Sequence, residues 1–249
     1  MAAKERQTKI LQTVNERQKI DVASLAGIVG VSQVTVRKDL DVLEEKGLLC
    51  REHGYALAVN SDDINNRLAY NYETKLALAR KAAEIVGDGE TVMIESGSSC
   101  ALLAEVLSTE RTDVNIITNS AFIANHIKDS PTSRVTLLGG EFQRESQVCV
   151  GALVRTCAKE FYVDKLFVGT DGFVPEVGFT GGDLARAEAV RAMAVSAKNR
   201  IILTDSSKFT AHGLVLLLRF DEISMVFTDS DVPQSAVGIM EEHGVKVFV

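Results

Sequence analysis

Tryptophan is absent from this sequence, and its 249 residues include only 3 prolines and 4 cysteines. So few prolines exclude long proline-rich linkers, and any domains are expected to join through ordinary polar chain. The cysteines (Cys50, Cys100, Cys149 and Cys157) have no CxxC spacing, which excludes the common zinc motifs and gives no disulfide framework. We therefore expect reduced cysteines in a cytoplasmic protein, with neither a metal ion nor another cofactor.

Long apolar runs are missing as well. Residues 1–6 lack the apolar segment that a secretory signal needs, and no run of about 18 apolar residues is present to span a bilayer. No membrane partner is expected. The hydrophobic share of 46% and the charged share of 24% are typical of globular proteins, and the length is sufficient for two domains.

The formal net charge of -7 argues against a simple polycationic nucleic-acid binder. The charge is unevenly distributed, however. Residues 1–60 hold nine lysines and arginines against eight acids, whereas the rest of the chain holds 18 against 26. A slightly basic amino-terminal part followed by an acidic remainder is typical of a chain that contacts DNA with its amino-terminal part alone.

The first 60 residues predict three helices and a hairpin. Residues 5–16 have the apolar spacing of a short amphipathic helix. A second helix runs from Val22 to Val29 and ends at Gly30, and a third is capped by Ser32, runs to about Lys46 and stops at Gly47. Two short strands, 48–51 and 55–59, then turn at residues 52–54. A hairpin behind the third helix is the wing of a winged helix-turn-helix domain.

The third helix carries the candidate DNA contacts. Its apolar stripe (Val36, Leu40 and Leu43) is expected to pack inward, which leaves Arg37 and Lys38 on the outside. In a helix-turn-helix protein the first half of this helix reaches the base edges. The predicted contacts are Ser32, Gln33, Val34, Thr35, Arg37 and Lys38, with Arg51 and His53 from the wing. Asp39 lies beside the core stripe. We expect it to pair with a basic side chain of a neighbouring helix and not to contact DNA.

These residues form a recognisable motif. Its sequence is Val31-Ser32-x-x-Thr35-x-Arg37-x-Asp39-Leu40-x-x-Leu43-x-x-x-Gly47, followed by Arg51-x-His53-Gly54. It resembles the helix-turn-helix signature of the DeoR family of bacterial sugar regulators. Lys38 replaces an arginine of that signature, and Tyr55 replaces its second wing glycine. Lysine keeps the charge but loses bidentate geometry, so we expect phosphate contact to survive better than guanine reading.

A charged helix face is by itself typical of a solvated surface, which is the alternative for Arg37 and Lys38. The cap, the turn, the hairpin and the motif together favour DNA contact.

Beyond a polar linker at residues 61–75, the remaining residues 76–249 alternate between strands and helices. Seven short apolar runs predict strands, at 91–95, 114–118, 135–138, 165–168, 200–203, 223–228 and 245–249. Helices between such runs predict an α/β domain with a mostly parallel sheet. Parallel sheets bind ligands beyond the carboxyl ends of their strands, and the polar clusters of this chain fall at those ends.

Two of these clusters have the chemistry of an anion site. Ser96-Gly97-Ser98-Ser99 joins a strand to a helix start, where free amides, hydroxyls and the helix dipole favour an anion. Asn119-Ser120 repeats the arrangement one strand later. Helix capping is the alternative explanation for both, because neither matches a nucleotide-binding motif. After a later strand, Lys208 is placed to pair with a phosphate, and Asp205 to bind a sugar hydroxyl or the lysine; a lone lysine is otherwise a surface residue.

The same clusters resemble blocks of the DeoR sensor domain, which is similar in fold to ribose-5-phosphate isomerase and glucosamine-6-phosphate deaminase. The resemblance implies that Gly97, Ser98 and Ser99 hold a phosphate. It implies that the sugar side is lined by Asn119, Ser120, Asp171, Asp205 and Lys208. The family block reads Asp-Ser-Gly-Thr-Thr; here Glu95 replaces the aspartate, and Ser98 and Ser99 replace the two threonines. Further along, Thr210 replaces a glycine of the family. These departures leave the identity of the ligand open.

The sequence therefore predicts a DNA-binding regulator, a repressor of a carbohydrate operon that a phosphorylated sugar controls. It is expected to bind operator DNA as a dimer or tetramer, because one small module supplies too little specific affinity. One alternative is an isomerase or deaminase acting on the same ligand class, with Glu95, Asp171 or Asp205 as the base. Another is an architectural DNA-binding protein without an effector.

Overall fold

A computed structural model describes residues 3–45, 48–58 and 62–249. The chain divides into two compact units, Met1–Tyr72 and Glu73–Val249. The segment predicted as a linker, 61–75, contains one short helix and the start of another. The predicted domain boundaries at 60 and 76 remain predictions.

The first unit is a small helical domain with a three-stranded antiparallel sheet. Its helices are α1 (Ala3–Arg17), α2 (Val22–Val29), α3 (Gln33–Glu45) and α4 (Ile64–Ala69). Its strands are β1 (Lys19–Asp21), β2 (Leu49–Glu52) and β3 (Tyr55–Ala58), in the order β1-β3-β2. Strand β1 was not predicted. Lys46, the predicted stop Gly47 and Val59 lie outside the described residues.

Local hydrogen bonds fix where the helices of this unit begin and end. Asp21 caps α2 by accepting the Ser24 amide at 2.9 Å, and Gly30 ends that helix with φ +70°. Ser32 Oγ accepts the Thr35 amide at 3.2 Å, as predicted for the start of α3. The buried core runs through α1, α2, α3 and the hairpin, with members such as Ile10, Leu25, Leu40, Leu43, Leu49 and Ala56.

The buried carboxylate of Asp39 ties α3 to α1. Its Oδ2 lies 2.6 Å from Arg6 Nε, and its Oδ1 accepts from Arg6 Nη2 at 3.1 Å and from Gln7 Nε2 at 3.2 Å. The carboxylate raises the pKa of the Arg6 guanidinium through these hydrogen bonds and the attraction of opposite charge. The prediction that Asp39 pairs with a neighbouring basic side chain is confirmed.

The second unit is an α/β domain. Its helices are α5 (Tyr72–Ala83, beginning at the last residue of the first unit), α6 (Ser98–Glu110), α7 (Ala121–His126), α8 (Ala152–Ala158), α9 (Leu184–Val195) and α10 (Gln234–Glu242). Its strands are β4 (Thr91–Ile94), β5 (Asn115–Thr118), β6 (Arg134–Leu137), β7 (Glu141–Gln143), β8 (Val148–Val150), β9 (Val163–Val168), β10 (Gly172–Val174), β11 (Gly178–Gly181), β12 (Ala197–Leu203), β13 (Val215–Arg219), β14 (Met225–Phe227) and β15 (Lys246–Phe248). Short 3-10 helices cover Ser206–Thr210 and Phe220–Glu222.

Seven of these strands form one sheet in the order β15-β14-β12-β9-β4-β5-β6, and every neighbouring pair is parallel. They are the seven strands that the sequence predicted. Two small antiparallel sheets, β7-β8 and β10-β11-β13, complete the unit and were not predicted. Within the described part of the chain, no helix combines the length and apolarity that crossing a bilayer requires.

The strand order reverses between β4 and β9. From β4 the chain builds outward through β5 to β6, and then returns to the other side of β4 to add β9, β12, β14 and β15. Parallel sheets commonly bind ligands at such a reversal, beyond the carboxyl ends of the strands. The loops after β4 and β9 are therefore the expected position of a ligand site.

Candidate functional site

The outer face of α3 presents the predicted DNA contacts to solvent. Val34, Arg37, Lys38 and Asp41 follow the spacing i, i+3, i+4 and i+7, and all four are exposed. The opposite stripe is fully buried, with Val36 and Leu40 in the core. Ser32 and Gln33 are also exposed at the start of the helix, and Thr35 is half-buried. The six predicted contacts from this helix, Ser32, Gln33, Val34, Thr35, Arg37 and Lys38, therefore lie together in the amino-terminal half of α3, where a recognition helix meets base edges.

Arg51 lies beside acidic side chains of α3. Its guanidinium pairs with Asp41 on α3 and lies 4.0 Å from Glu44, while its backbone amide donates to Glu44 at 2.8 Å. Strand β2 is thereby joined to the outer face of α3. Because Asp41 shares its stripe with Arg37 and Lys38, Arg51 offsets a negative charge on the surface predicted to meet DNA.

His53 lies at the tip of the wing. His53 and Gly54 both have positive φ, +48° and +87°, as the two central residues of a type I′ turn require. The His53 side chain is 90% exposed, and the nearest acid is Glu52, at 3.8 Å between Nδ1 and Oε1. The ring is thus open to a partner.

The predicted ligand residues follow four adjacent strands of the second unit. Ser120 and its neighbours follow β5, Gly97 follows β4, Asp171 follows β9 and Asp205 follows β12. These strands lie side by side in the order β12-β9-β4-β5, so the four clusters share one edge of the sheet. The strand reversal between β4 and β9 lies in the middle of them.

Glu95 occupies the reversal itself. Its carboxylate accepts from Ser96 Oγ at 2.7 Å, from the Gly97 amide at 2.8 Å and from the Gly169 amide at 3.2 Å. The two loops approach so closely that a Cβ on either glycine would lie 3.0 Å from the Cα of the other. The Gly97 amide, predicted to hold a phosphate, therefore donates to Glu95 in this structure.

The start of α6 keeps the character of an anion site beyond Gly97. Gly97 caps the helix without a side-chain hydrogen bond, so Ser98 and Ser99 begin the helix with no capping side chain before them. Ser99 is buried and Ser98 is half-buried in the first turn of α6. Both residues remain predicted ligand contacts.

The two residues after β5 have different roles. Ser120 Oγ accepts the Ile123 amide at 3.2 Å and caps α7, which is the role that the capping alternative gave it. Asn119 Nδ2 donates to the Cys149 carbonyl at 3.1 Å. Asn119 Oδ1 is buried and has no hydrogen-bond partner within the described chain. It is an acceptor available to a ligand hydroxyl.

Lys208 lies in the 3-10 helix after β12. Asp205 caps this helix by accepting the Ser207 amide at 3.2 Å, and Asp229 accepts the Ser206 amide at 2.7 Å. Lys208 is half-buried, and among the residues described here its ammonium group has no ion-pair partner. Asp171 is exposed and accepts the Gly182 amide at 2.9 Å.

Asp229, Gly169 and Cys149 contact these residues but were not predicted. Asp229 had a visible signal, because Thr-Asp-Ser follows β12 at 204–206 and recurs after β14 at 228–230. Cys149 gave none, since it reaches Asn119 through the unpredicted strand β8.

Two family profiles match the chain. The DeoR-like helix-turn-helix domain matches residues 6–62, and the DeoR C terminal sensor domain matches residues 70–230. The protein belongs to the DeoR family. It is accordingly a DNA-binding transcriptional regulator with a DeoR-type sensor domain, as the motifs predicted.

Relatives of this DeoR-family protein match it over nearly its full length. The HTH-type transcriptional regulator GolR of Listeria innocua is 28% identical over 249 residues, covering 98% of each chain. The glycerol-3-phosphate regulon repressor of Escherichia coli strain K12 is 26% identical over 251 residues, covering 99% of each. Among solved structures, ribose 5 phosphate isomerase A from Neisseria gonorrhoeae is 17% identical with a TM-score of 0.42, covering 57% of this chain and 55% of that one.

Proposed function

We propose that this protein represses a carbohydrate operon, with α3 binding operator DNA and the sheet edge of the second unit binding a phosphorylated sugar or a related metabolite. The observation that carries the ligand assignment is the alignment of four polar clusters at the strand reversal, with Lys208 unpaired among the described residues. The family match supports the division into a DNA-binding part and a sensor part.

The chemistry of this edge favours a ligand that is anionic at one end and hydroxylated at the other. The start of α6 and the Lys208 ammonium both attract negative charge. The buried Asn119 Oδ1 lacks a donor within the described chain, and burial makes an unpaired acceptor costly, so a ligand O–H stabilises it. A sugar phosphate supplies both groups. Gly97, Ser98, Ser99, Asn119, Ser120, Asp171, Asp205 and Lys208 are the residues we assign to this ligand.

Repression is relieved if the ligand binds preferentially to the conformation in which the paired DNA-binding domains no longer match the operator. A coupling free energy of about 1–3 kcal/mol is sufficient for a several-fold to hundred-fold release of DNA. The proposal includes a dimer or tetramer, because one small DNA-binding module rarely supplies enough specific affinity. It also implies a cytoplasmic location, where bacterial operators are found.

Thermal unfolding with a panel of sugar phosphates, matched free sugars and inorganic phosphate tests the ligand assignment. A ligand at 100 times its dissociation constant adds about 2.7 kcal/mol to the free energy of unfolding, which gives a measurable shift in Tm. We expect one phosphorylated sugar to shift Tm while its free sugar does not.

The Lys208→Ala variant should lose this shift. Lys198→Ala is the matched control, because Lys198 is an exposed lysine near the amino end of the same strand, β12. A shift that Lys208→Ala retains in full would contradict the assignment of Lys208. No shift with any compound would contradict the ligand site as a whole.

An isomerase or deaminase remains the competing function. Its candidate bases, Glu95, Asp171 and Asp205, each accept at least one backbone amide. Turnover of ribose 5-phosphate or glucosamine 6-phosphate by purified protein at high concentration would support the enzyme. An architectural protein without an effector predicts DNA affinity that no metabolite changes.

A further inference from the structure

Val34 is an exposed apolar side chain on a face that is otherwise polar. It is 61% exposed, whereas the core side of α3 buries Val36, Leu40 and Leu43. It stands in the first turn of the helix, on the same stripe as Arg37 and Lys38. The Val34 side chain therefore lies outside the core, on the same exposed face of α3 as the predicted DNA contacts.

The neighbours of Val34 can all form hydrogen bonds. The hydroxyls of Ser32 and Thr35 lie 3.0 Å apart in the cap of α3, and Arg37 Nη2 donates to Gln33 Oε1 at 3.4 Å. Val34 has no hydrogen-bonding group, so it gains nothing from the donor and acceptor atoms of the base edges or from phosphate oxygens. In the major groove, the C5 methyl of thymine is the apolar group that a base presents.

We propose that Val34 determines operator specificity by packing on the C5 methyl of a thymine in each half-site. This inference rests on the proposed operator binding by α3. Valine suits the role, because about 90% of helical valines share one χ1 rotamer, so the two γ-methyls are already fixed in place. Little side-chain entropy is lost when the methyl groups meet.

The test begins with the full chain and a randomised duplex DNA library, with and without the sugar-phosphate panel. Selection gives an operator sequence. Each thymine of that sequence is then replaced singly by deoxyuridine, which removes the C5 methyl and leaves every hydrogen-bonding atom in place. Affinities are measured by fluorescence anisotropy at one fixed salt concentration, since phosphate contacts make binding depend on salt.

We expect one thymine in each half-site at which deoxyuridine weakens wild-type binding about fourfold. This figure follows from about 0.8 kcal/mol for one buried methyl, with each 1.4 kcal/mol worth a factor of ten. In Val34→Ser, which removes both γ-methyls, the same replacement should change affinity by less than about half of that factor. Val195→Ser is the matched control, since Val195 is an exposed valine of the second unit and should leave the thymine effect intact.

Two outcomes overturn the inference. If no deoxyuridine weakens binding, or if every thymine effect is equal in wild type and Val34→Ser, Val34 does not read a methyl group while operator binding stands. If the library yields no enriched sequence under any condition, the proposed operator binding fails and this inference fails with it.

Discussion

Arg51 reaches from β2 to α3, where its guanidinium pairs with Asp41 and lies near Glu44. An uncompensated carboxylate at Asp41 would repel DNA phosphates, because it shares the exposed stripe of Arg37 and Lys38. We therefore expect Arg51→Ala to weaken operator binding several-fold. The slope of log affinity against log salt should change little, since a lost phosphate contact would reduce it by about 1. Fluorescence anisotropy over a salt series measures both quantities.

The double variant Arg51→Ala with Asp41→Asn separates this role from direct contact. If Arg51 acts by neutralising Asp41, removing the acid restores most of the affinity. An unrestored affinity together with a smaller salt slope would instead show that Arg51 binds phosphate, as the sequence predicted.

Glu95 places a negative charge between the loops after β4 and β9, where a phosphate is expected. It also takes the Gly97 and Gly169 amides, which an anionic ligand would otherwise use. Glu95→Gln keeps an oxygen that can accept these amides and removes the charge. We expect this variant to bind the phosphorylated effector several-fold more tightly, as measured by isothermal titration calorimetry.

Glu90→Gln is the control for this prediction. Glu90 precedes β4 at the amino edge of the sheet and pairs with Lys165, so its charge lies at the opposite edge from Glu95. Its removal should lower stability without changing effector affinity. Weaker binding by Glu95→Gln would mean that the charge of Glu95 is needed to hold the two loops in place.

At the scale of elements, Asp183 links α9 to the β7-β8 hairpin. It caps α9 by accepting the Arg186 amide at 2.8 Å, and it accepts from Gln143 Nε2 at 3.3 Å. Burial alone would raise the pKa of Asp183, but these hydrogen bonds and the charge of Arg186 together lower it. A lowered folded-state pKa stabilises the protein above the unfolded pKa, about 3.9, and this contribution is lost as pH falls through the folded pKa.

Asp183→Asn tests this contribution, because asparagine still caps a helix but carries no charge. We expect the variant to be less stable than wild type at pH 7, with a smaller difference at about pH 3, which lies below the unfolded pKa of about 3.9. Urea denaturation at both pH values measures it. Asp164→Asn, at an exposed aspartate of β9, should show no such pH dependence. A stability difference that persists unchanged at the lower pH would show that charge at Asp183 is not its source.

The elements that could be predicted are those whose signal is local. All seven strands of the parallel sheet are short apolar runs between helices, and α2 has a capping aspartate and a terminal Gly30. The strands that were missed have three to five residues, and some of them pair with distant strands. For example, β11 pairs with β13, more than thirty residues later in the chain, a pairing that no local pattern encodes.

The candidate site divides in the same way. Its position at the carboxyl edge follows from strand order, so the clusters around Gly97, Asn119, Asp171 and Asp205 could be placed from the sequence. Their hydrogen bonds could not be placed. The hydrogen bond from the Gly169 amide to Glu95 depends on the close approach of Gly169, which follows β9, to Gly97, and that approach is set by packing between two strands.

At the scale of the whole molecule, the proposed mechanism needs two functions that separate by mutation. Arg37 belongs to the first unit and Lys208 to the second. We expect Arg37→Ala to weaken operator binding and to leave effector affinity unchanged, and Lys208→Ala to do the reverse. Anisotropy with operator DNA and calorimetry with the effector measure the two affinities. If either variant is folded and has lost both operator binding and effector binding, the two functions do not separate by mutation.

Coupling between the units makes a quantitative demand on the wild-type protein. If effector lowers operator affinity by some factor, operator DNA must lower effector affinity by the same factor, because the two binding free energies share one thermodynamic cycle. A tenfold effect in one direction therefore requires a tenfold effect in the other, equal to about 1.4 kcal/mol. Effector titrations with and without saturating operator give the second factor. Unequal factors would show that a further species, such as a change in oligomeric state, takes part in the switch.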